Sequence, residues 1–139
     1  MTGELGYTFE TRMDHPIDEV RNRVEVALKV EGFGILTEID VAATLRTKLG
    51  VETEPYLILG ACNPGLAHRA LQIDPSIGAL LPCNVVLRRG ATAEQTVVEI
   101  LEPRTFLAIA DSPGLAEVAG EASERLHRVA SALAAPHEG

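Results

Sequence analysis

Residues 56–71 read YLILGACNPGLAHRAL, an apolar run that changes abruptly into the pattern of a helix. The segment Tyr56–Cys62 is apolar or small on both faces, which is typical of a central strand covered on two sides or packed at a dimer contact. Asn63 is a favoured N-cap residue, and Pro64 suits the first helical position. The stretch therefore predicts a buried strand that leads directly into a helix.

Two further strands and two helices are predicted before this stretch. Residues 7–13 and 33–39 alternate between apolar and polar side chains, as strands with one buried face do. In the second of these strands, the alternation predicts one side made of Phe33, Ile35 and Ile39. A helix is predicted over about residues 16–31, and Asp40 is the predicted N-cap of a short helix that follows.

A hairpin and a long helix are predicted after the stretch. The hairpin pairs residues 83–87 with 96–101, and its loop is predicted over 88–95. Residues 103–110 are ambiguous. Ser112 as N-cap and Pro113 at the first position predict the start of a long amphipathic helix. The order strand, helix, four strands, helix predicts an α+β two-layer sandwich, with helices packed on one face of a mostly antiparallel, curved sheet.

Length and charge limit the classes of protein to consider. The 139 residues suit one domain, with an ordered core over about 5–134 and a short flexible C-terminal tail. The formal charge of -8 disfavours nucleic acid, because such binding is mostly attraction between cations and phosphates. No signal peptide and no membrane-spanning run is predicted. We therefore expect a cytoplasmic, acidic protein whose two cysteines stay reduced as thiols.

Three separated blocks of the sequence resemble one known family. They are GFGILTEIDV at 32–41, YLILGACNPGLAHRAL at 56–71 and GALLPCNVVLRR at 78–89. The chain resembles the bacterial and archaeal family catalogued as domain of unknown function 302, and the similarity runs from the first strand to the last helix. This resemblance implies a TATA-binding-protein-like sandwich with the order strand, helix, four strands, helix. It implies no reaction, and fold alone does not determine function.

Both cysteines precede an asparagine, and these four residues are candidates for binding a ligand. Cys62 lies just before a predicted helix N-terminus, where the helix dipole would stabilise a thiolate; alternatively it ends a buried strand as a small apolar residue. Cys83 follows Pro82 at the start of a strand, so Asn84 should point to the opposite face. A site here would therefore combine one member of each pair.

Catalytic and metal-binding motifs are not evident in the sequence. His68 is the remaining candidate ligand near Cys62 and Cys83, but the three residues lack the paired spacing of a zinc site, so no metal is predicted. His68 is expected to be solvated on a helix. The sequence has no Walker loop, dinucleotide fingerprint or nucleophile elbow. We therefore predict no cofactor and no catalytic residue.

Three functions are compatible with these features. The first is a small-molecule-binding or accessory protein, acting as a homodimer, with a modest apolar pocket near Cys62, Asn63 and Asn84 for a small apolar or sulfur-containing ligand. The second is thiol chemistry, either sulfur transfer or a redox reaction, through Cys62 or Cys83. The third is a purely structural module that acts through its dimer surface.

Overall fold

Five strands and five α-helices make up the computed structural model of this chain, which describes residues 6–110 and 112–135. In chain order the elements are β1 (Thr8–Met13), α1 (Ile17–Val30), β2 (Gly34–Asp40), α2 (Val41–Leu49), β3 (Tyr56–Cys62), α3 (Pro64–Ile73), a 3₁₀ helix (Pro75–Leu80), β4 (Cys83–Arg89), β5 (Thr96–Leu101), a second 3₁₀ helix (Pro103–Thr105), α4 (Phe106–Ile109) and α5 (Leu115–Ala134). Residues 5 and 111 of the predicted core and residues 136–139 of the predicted tail lie outside the described residues.

The strands form one antiparallel sheet in the order β1-β5-β4-β3-β2. Helices α1, α3 and α5 pack on one face of this sheet, where a single cluster of buried side chains joins both layers. Leu59, Val85 and Ile100 contribute to this core from the sheet, and Val24 and Leu126 contribute from the helices. The predicted α+β two-layer sandwich, with its order of strand, helix, four strands and helix, is confirmed.

Residues 56–71 fold as predicted, as a strand that leads directly into a helix. Strand β3 covers Tyr56–Cys62, and the side chain of Asn63 caps α3 by accepting a hydrogen bond from the backbone N–H of Leu66 at 3.1 Å. Asp40 caps α2 in the same way, accepting from the N–H of Ala43 at 2.9 Å. Both caps occupy N–H groups that would otherwise lack a partner at a helix start.

The predicted alternation of the second strand is wrong in its second half. A bulge interrupts the pairing of β2 with β3 between Ile35 and Thr37, and the extra residue, Leu36, is exposed. An extra residue shifts every later side chain to the other face of the sheet. Ile35 therefore packs against the core, whereas Ile39 lies on the opposite face and is 48% exposed.

The predicted start of the long helix is also wrong. The helix begins at Leu115, after Gly114 in the left-handed region with φ of 95°. Ser112 does not cap it, because its hydroxyl donates a hydrogen bond to Asp74 Oδ2 at 2.9 Å. The other oxygen of Asp74 accepts from the N–H of Ser76 at the first 3₁₀ helix. Ser112 therefore ties the chain before α5 to the end of α3.

The predicted hairpin loop is shorter than expected. Strand β4 continues through Arg88 and Arg89, which pair with Val97 and Thr96 of β5, so the loop covers residues 90–95. Arg88 Nε donates a hydrogen bond to Glu99 Oε1 at 2.9 Å on the face of the sheet opposite the helices. This ion pair allows a charged residue to extend the strand.

A row of aliphatic side chains crosses that opposite face. Ile39, Ile58 and Val86 pair with one another across β2, β3 and β4, and the row continues to Glu99 on β5. Ile58 and Val86 are half-buried, and Ile39 is exposed. An apolar row beside charged residues is a feature of sheets that face another surface.

Within residues 6–110 and 112–135, no helix combines the length and apolar character needed to cross a membrane.

Candidate functional site

A small cavity lies where β3 ends and β4 begins, beneath helices α3 and α5. Its volume is about 50 Å³. Large apolar side chains from five separate parts of the chain contribute to its wall; they are Phe33, Leu66, Ile77, Phe106, Leu115 and Val118. All six are buried. An apolar cavity of this kind stays free of water, because water inside it would find too few hydrogen-bonding partners.

Both cysteines line this cavity. Cys83 is 6% exposed and Cys62 is half-buried. Ala61 pairs directly with Cys83 across β3 and β4, and Cys62 is the next residue along β3. Standard strand spacing therefore places the α-carbons of the two cysteines about 6 Å apart, with their side chains on opposite faces of the sheet. The cavity is thus lined by both residues of the first Cys-Asn pair and by one residue, Cys83, of the second.

Burial changes the acidity of both thiols. It raises the pKa of Cys62 above its ordinary value. Burial, with a smaller contribution from the charge on Cys62, raises the pKa of Cys83 to about 11. Both groups are therefore protonated near neutral pH. The shift at Cys62 opposes the thiolate that the N-terminus of α3 would otherwise stabilise.

The side chain of Asn63, besides capping α3, lies close to Gly32. Gly32, at the end of α1, has φ of 85°, and a β-carbon added there would lie 2.9 Å from Asn63 Nδ2. Arg125 Nη1 approaches the same point and donates a hydrogen bond to the carbonyl of Glu31 at 3.0 Å. Gly32 therefore both adopts the positive φ that follows α1 and leaves room for the Asn63 amide, because it has no β-carbon.

Ion pairs connect the helices that border the cavity. Arg69 on α3 donates to Glu121 Oε1 and Glu117 Oε1 of α5, both at 3.0 Å. Arg125 donates to the other oxygen of Glu121, also at 3.0 Å. Hydrogen bonds from Arg69 and Arg125 lower the pKa of Glu121. The carboxylate therefore stays charged at neutral pH and helps to hold α3 against α5.

Asn84 and His68 lie outside the cavity. Asn84 is exposed and points to the opposite face from Cys83, as alternation predicts. It lines a surface cleft of about 440 Å³ with Tyr7 and Ile109. His68 is exposed on α3. Among the residues that the structure describes, no three His, Cys, Asp or Glu side chains are grouped as metal ligands.

The cavity and the cleft share a wall. Leu81, Pro82 and Phe106 line both spaces. The far side of the cavity comes from Ile77, Phe106 and α5, which sequence reasoning did not assign to the site. Their one local signal in the sequence is apolar spacing. That spacing identifies core residues in general, and it does not show which of them line a cavity.

The sequence profile of one family matches most of the chain. The profile described as "Domain of unknown function DUF302" covers residues 9–133. The chain belongs to the DUF302 family. The match covers β2 to β5 and all of β1 except Thr8, and it includes the four residues of the two Cys-Asn pairs.

A solved structure supports the same assignment for this DUF302 chain. The crystal structure of an uncharacterized conserved DUF302 protein from Bacillus stearothermophilus is similar, with a TM-score of 0.84 and 28% sequence identity. The alignment covers 92% of this chain and 98% of that chain. No curated protein matches the DUF302 chain in sequence.

Proposed function

We propose that this DUF302 protein binds a small apolar or sulfur-containing molecule in the cavity lined by Cys62, Asn63 and Cys83. The observation that carries the proposal is an apolar cavity with its polar groups confined to one edge, the arrangement of small-molecule sites in general. Asn63 and Cys62 are only half-buried, so this edge is the side from which a ligand would enter. The Asn63 amide and the Cys83 thiol are the groups that would orient it.

The cavity size limits the ligand. A cavity of roughly 150 Å³ holds a benzene ring of six carbon atoms. The present volume of about 50 Å³ therefore suits a molecule with about three non-hydrogen atoms. The binding free energy of such a small ligand is at most about 1.5 kcal/mol per non-hydrogen atom. Three atoms therefore supply roughly 4.5 kcal/mol, which corresponds to a Kd of roughly 0.5 mM or weaker. We therefore expect a volatile or gaseous solute, or one end of a longer molecule.

Dimethyl sulfide, with three non-hydrogen atoms, is the probe that tests this proposal. We expect it to shift the NMR signals of Leu66, Ile77 and Val118 methyl groups with a millimolar midpoint. Dimethyl sulfoxide should not do so, because its fourth non-hydrogen atom makes it larger than a cavity of about 50 Å³ accommodates. Ala119 lines the cavity, so Ala119→Val should abolish the shifts by filling the space. Ala116→Val, at an exposed position of the same helix, should preserve them. Shifts that persist in Ala119→Val would contradict this site.

Thiol catalysis is the second candidate for the same cavity, since both cysteines are among the residues that line it. The raised pKa values of Cys62 and Cys83 oppose it, because the thiolate is the nucleophile in such reactions. Binding is therefore the function that the geometry supports better. A reducing cytoplasm, which we propose as the compartment, would preserve both thiols.

We also propose that the protein is a homodimer that pairs through the row of Ile39, Ile58 and Val86. The row lies on the sheet face opposite the helices, and the neighbouring Arg88 is already paired with Glu99 within the chain. Burying an aliphatic row against its own copy removes apolar surface from water without leaving a charge unpaired.

Light scattering tests the homodimer. We expect a mass of twice the 14.9 kDa of one chain at micromolar concentration. Ile39→Lys should give the mass of one chain, because it places two like charges at the contact. Val30→Lys, at an exposed valine of α1 in the helix layer, should leave the dimer intact. A single-chain mass for the unaltered protein would overturn the proposal.

A further inference from the structure

The two outer strands of the sheet differ in how well they could accept a further strand. The strand order places β1 and β2 at the edges, each paired on one side only among the described residues. Strand β2 has a bulge at Leu36 and two exposed acidic side chains, Glu38 and Asp40, and such features oppose the addition of a strand. Strand β1 pairs with β5 residue for residue over Thr8–Met13, without a bulge, glycine or proline. The free edge of β1 is therefore the regular one.

This free edge of β1 carries backbone groups without a partner strand. Alternate residues of an antiparallel pair direct their N–H and C=O groups to the neighbouring strand, so half of those in β1 point away from β5. Glu10 and Arg12 are exposed, and Thr11 between them is half-buried. An edge of this kind binds an extended segment through main-chain hydrogen bonds, and the side chains determine which segment fits.

The side chains of β1 are complementary to a second copy of the same strand. Antiparallel pairing of two copies about Thr11 places Glu10 of each opposite Arg12 of the other. The same register places Phe9 opposite Met13 on the face that carries the helices. Registers centred on Glu10 or on Arg12 would instead place two like charges opposite each other, which is destabilising. The charges of β1 therefore favour one register, with a two-fold axis at Thr11.

The charges around Glu10 also favour an added cation. Glu10 lies directly opposite Glu99 of β5, and like charges in this position repel. Arg12 contacts Glu10 at 3.3 Å, and Arg88 contacts Glu99 at 2.9 Å. Arg12 of a second copy would lie on the free side of Glu10, away from Glu99, and would add a positive charge there. The Arg12 side chain is 51% exposed, so it is accessible for this contact.

We propose that the free edge of β1 binds β1 of a second copy of this chain, antiparallel and centred on Thr11. The two sheets then form one continuous sheet with the helices of both copies on the same face. This contact shares no residue with the row of Ile39, Ile58 and Val86, so it is a second surface and does not depend on the row. Its hydrogen bonds replace bonds to water, so we expect weak association, with a Kd of roughly 1 mM.

Sedimentation equilibrium of the full chain tests this contact, with Ile39→Lys in every variant to remove the row contact. At about 1 mM, the Ile39→Lys protein should have an average mass above the 14.9 kDa of one chain, and dilution should return it to that value. Glu10→Arg and Arg12→Glu should each weaken self-association at least tenfold, because each places two like-charged pairs across the contact. A mixture of these two variants should associate again, since each supplies the charge that the other lacks. Circular dichroism verifies folding.

Arg46→Glu is the matched control for Arg12→Glu. It makes the same change of charge at an exposed arginine of α2, which follows the opposite edge strand, and it should leave the association unchanged. The inference is overturned if the Ile39→Lys protein keeps the mass of one chain at about 1 mM, or if the mixture associates no better than either variant alone. A micromolar dimer that persists in Ile39→Lys and is lost in Arg12→Glu would support the β1 contact and overturn the row contact.

Discussion

Replacing Ile77 with alanine is expected to lower the free energy of unfolding by about 3 kcal/mol. Ile77 is 1% exposed and forms part of the cavity wall, so its removal takes away packed methyl groups and leaves a larger empty space. Urea denaturation followed by circular dichroism measures the change. The enlarged cavity should also bind benzene, for which the cavity of the unaltered protein is too small.

Ile109→Ala is the matched control for this prediction. Ile109 is 67% exposed on α4, so the same change of side chain should alter stability by less than about 0.5 kcal/mol. A loss below about 1 kcal/mol for Ile77→Ala would contradict the packing described for the cavity wall. Absence of benzene binding in a folded Ile77→Ala protein would show that the surrounding side chains collapse into the space.

Replacing Gly60 with alanine is expected to lower the free energy of unfolding by about 2 kcal/mol. A β-carbon at Gly60 would clash with Thr37 Oγ1 and would lie 2.7 Å from Pro82 Cγ. The threonine can rotate, but the proline ring is rigid, so the backbone at Pro82 must move. Pro82 forms part of the cavity wall, and dimethyl sulfide binding should therefore weaken in the same variant.

Gly34→Ala provides the comparison for this second prediction. Gly34 is in β2 of the same sheet, and an added β-carbon would have no neighbour within 4 Å. We expect its effect on stability to stay within about 0.5 kcal/mol. Equal thermal unfolding curves for the two variants would mean that the contact between Gly60 and Pro82 does not constrain the sheet.

Most elements of this fold are encoded by local patterns. Asn63 and Asp40 cap their helices as predicted, because an N-cap depends on the two or three residues that follow it. Strand β3 has its predicted bounds because its apolar run ends directly at a cap residue. Such features need no knowledge of distant parts of the chain.

The predictions that are wrong concern residues whose structure depends on contacts with distant parts of the chain. Ser112 is a favoured cap, but its hydroxyl donates a hydrogen bond to Asp74 across the fold, and the helix starts two residues later than predicted. The bulge at Leu36 has no local signal, because it depends on how β2 pairs with β3. A local sequence pattern contains information about one segment only, whereas the start of α5 and the register of β2 are decided by tertiary contacts.

The candidate site was predictable in part for the same reason. Cys62 and Cys83 end and begin adjacent strands, so their proximity follows from a hairpin-like pairing across α3. The cavity itself depends on Ile77 and Phe106, which no motif distinguishes from ordinary core residues. Its existence is a property of packing volumes, and those are not encoded in any single stretch of sequence.

The order of strands in the sheet has a consequence for synthesis on the ribosome. Strand β1 is made first, yet its neighbour is β5, and residues 8 and 101 must meet to start their pairing. At a synthesis rate of about 5–20 residues per second, β1 stays without its partner for several seconds until β5 has been made. Contacts between residues so far apart in sequence also slow folding after release. An N-terminal strand left unpaired for this time exposes its hydrogen-bonding edge, so a chaperone that shields nascent chains should raise the yield of native protein.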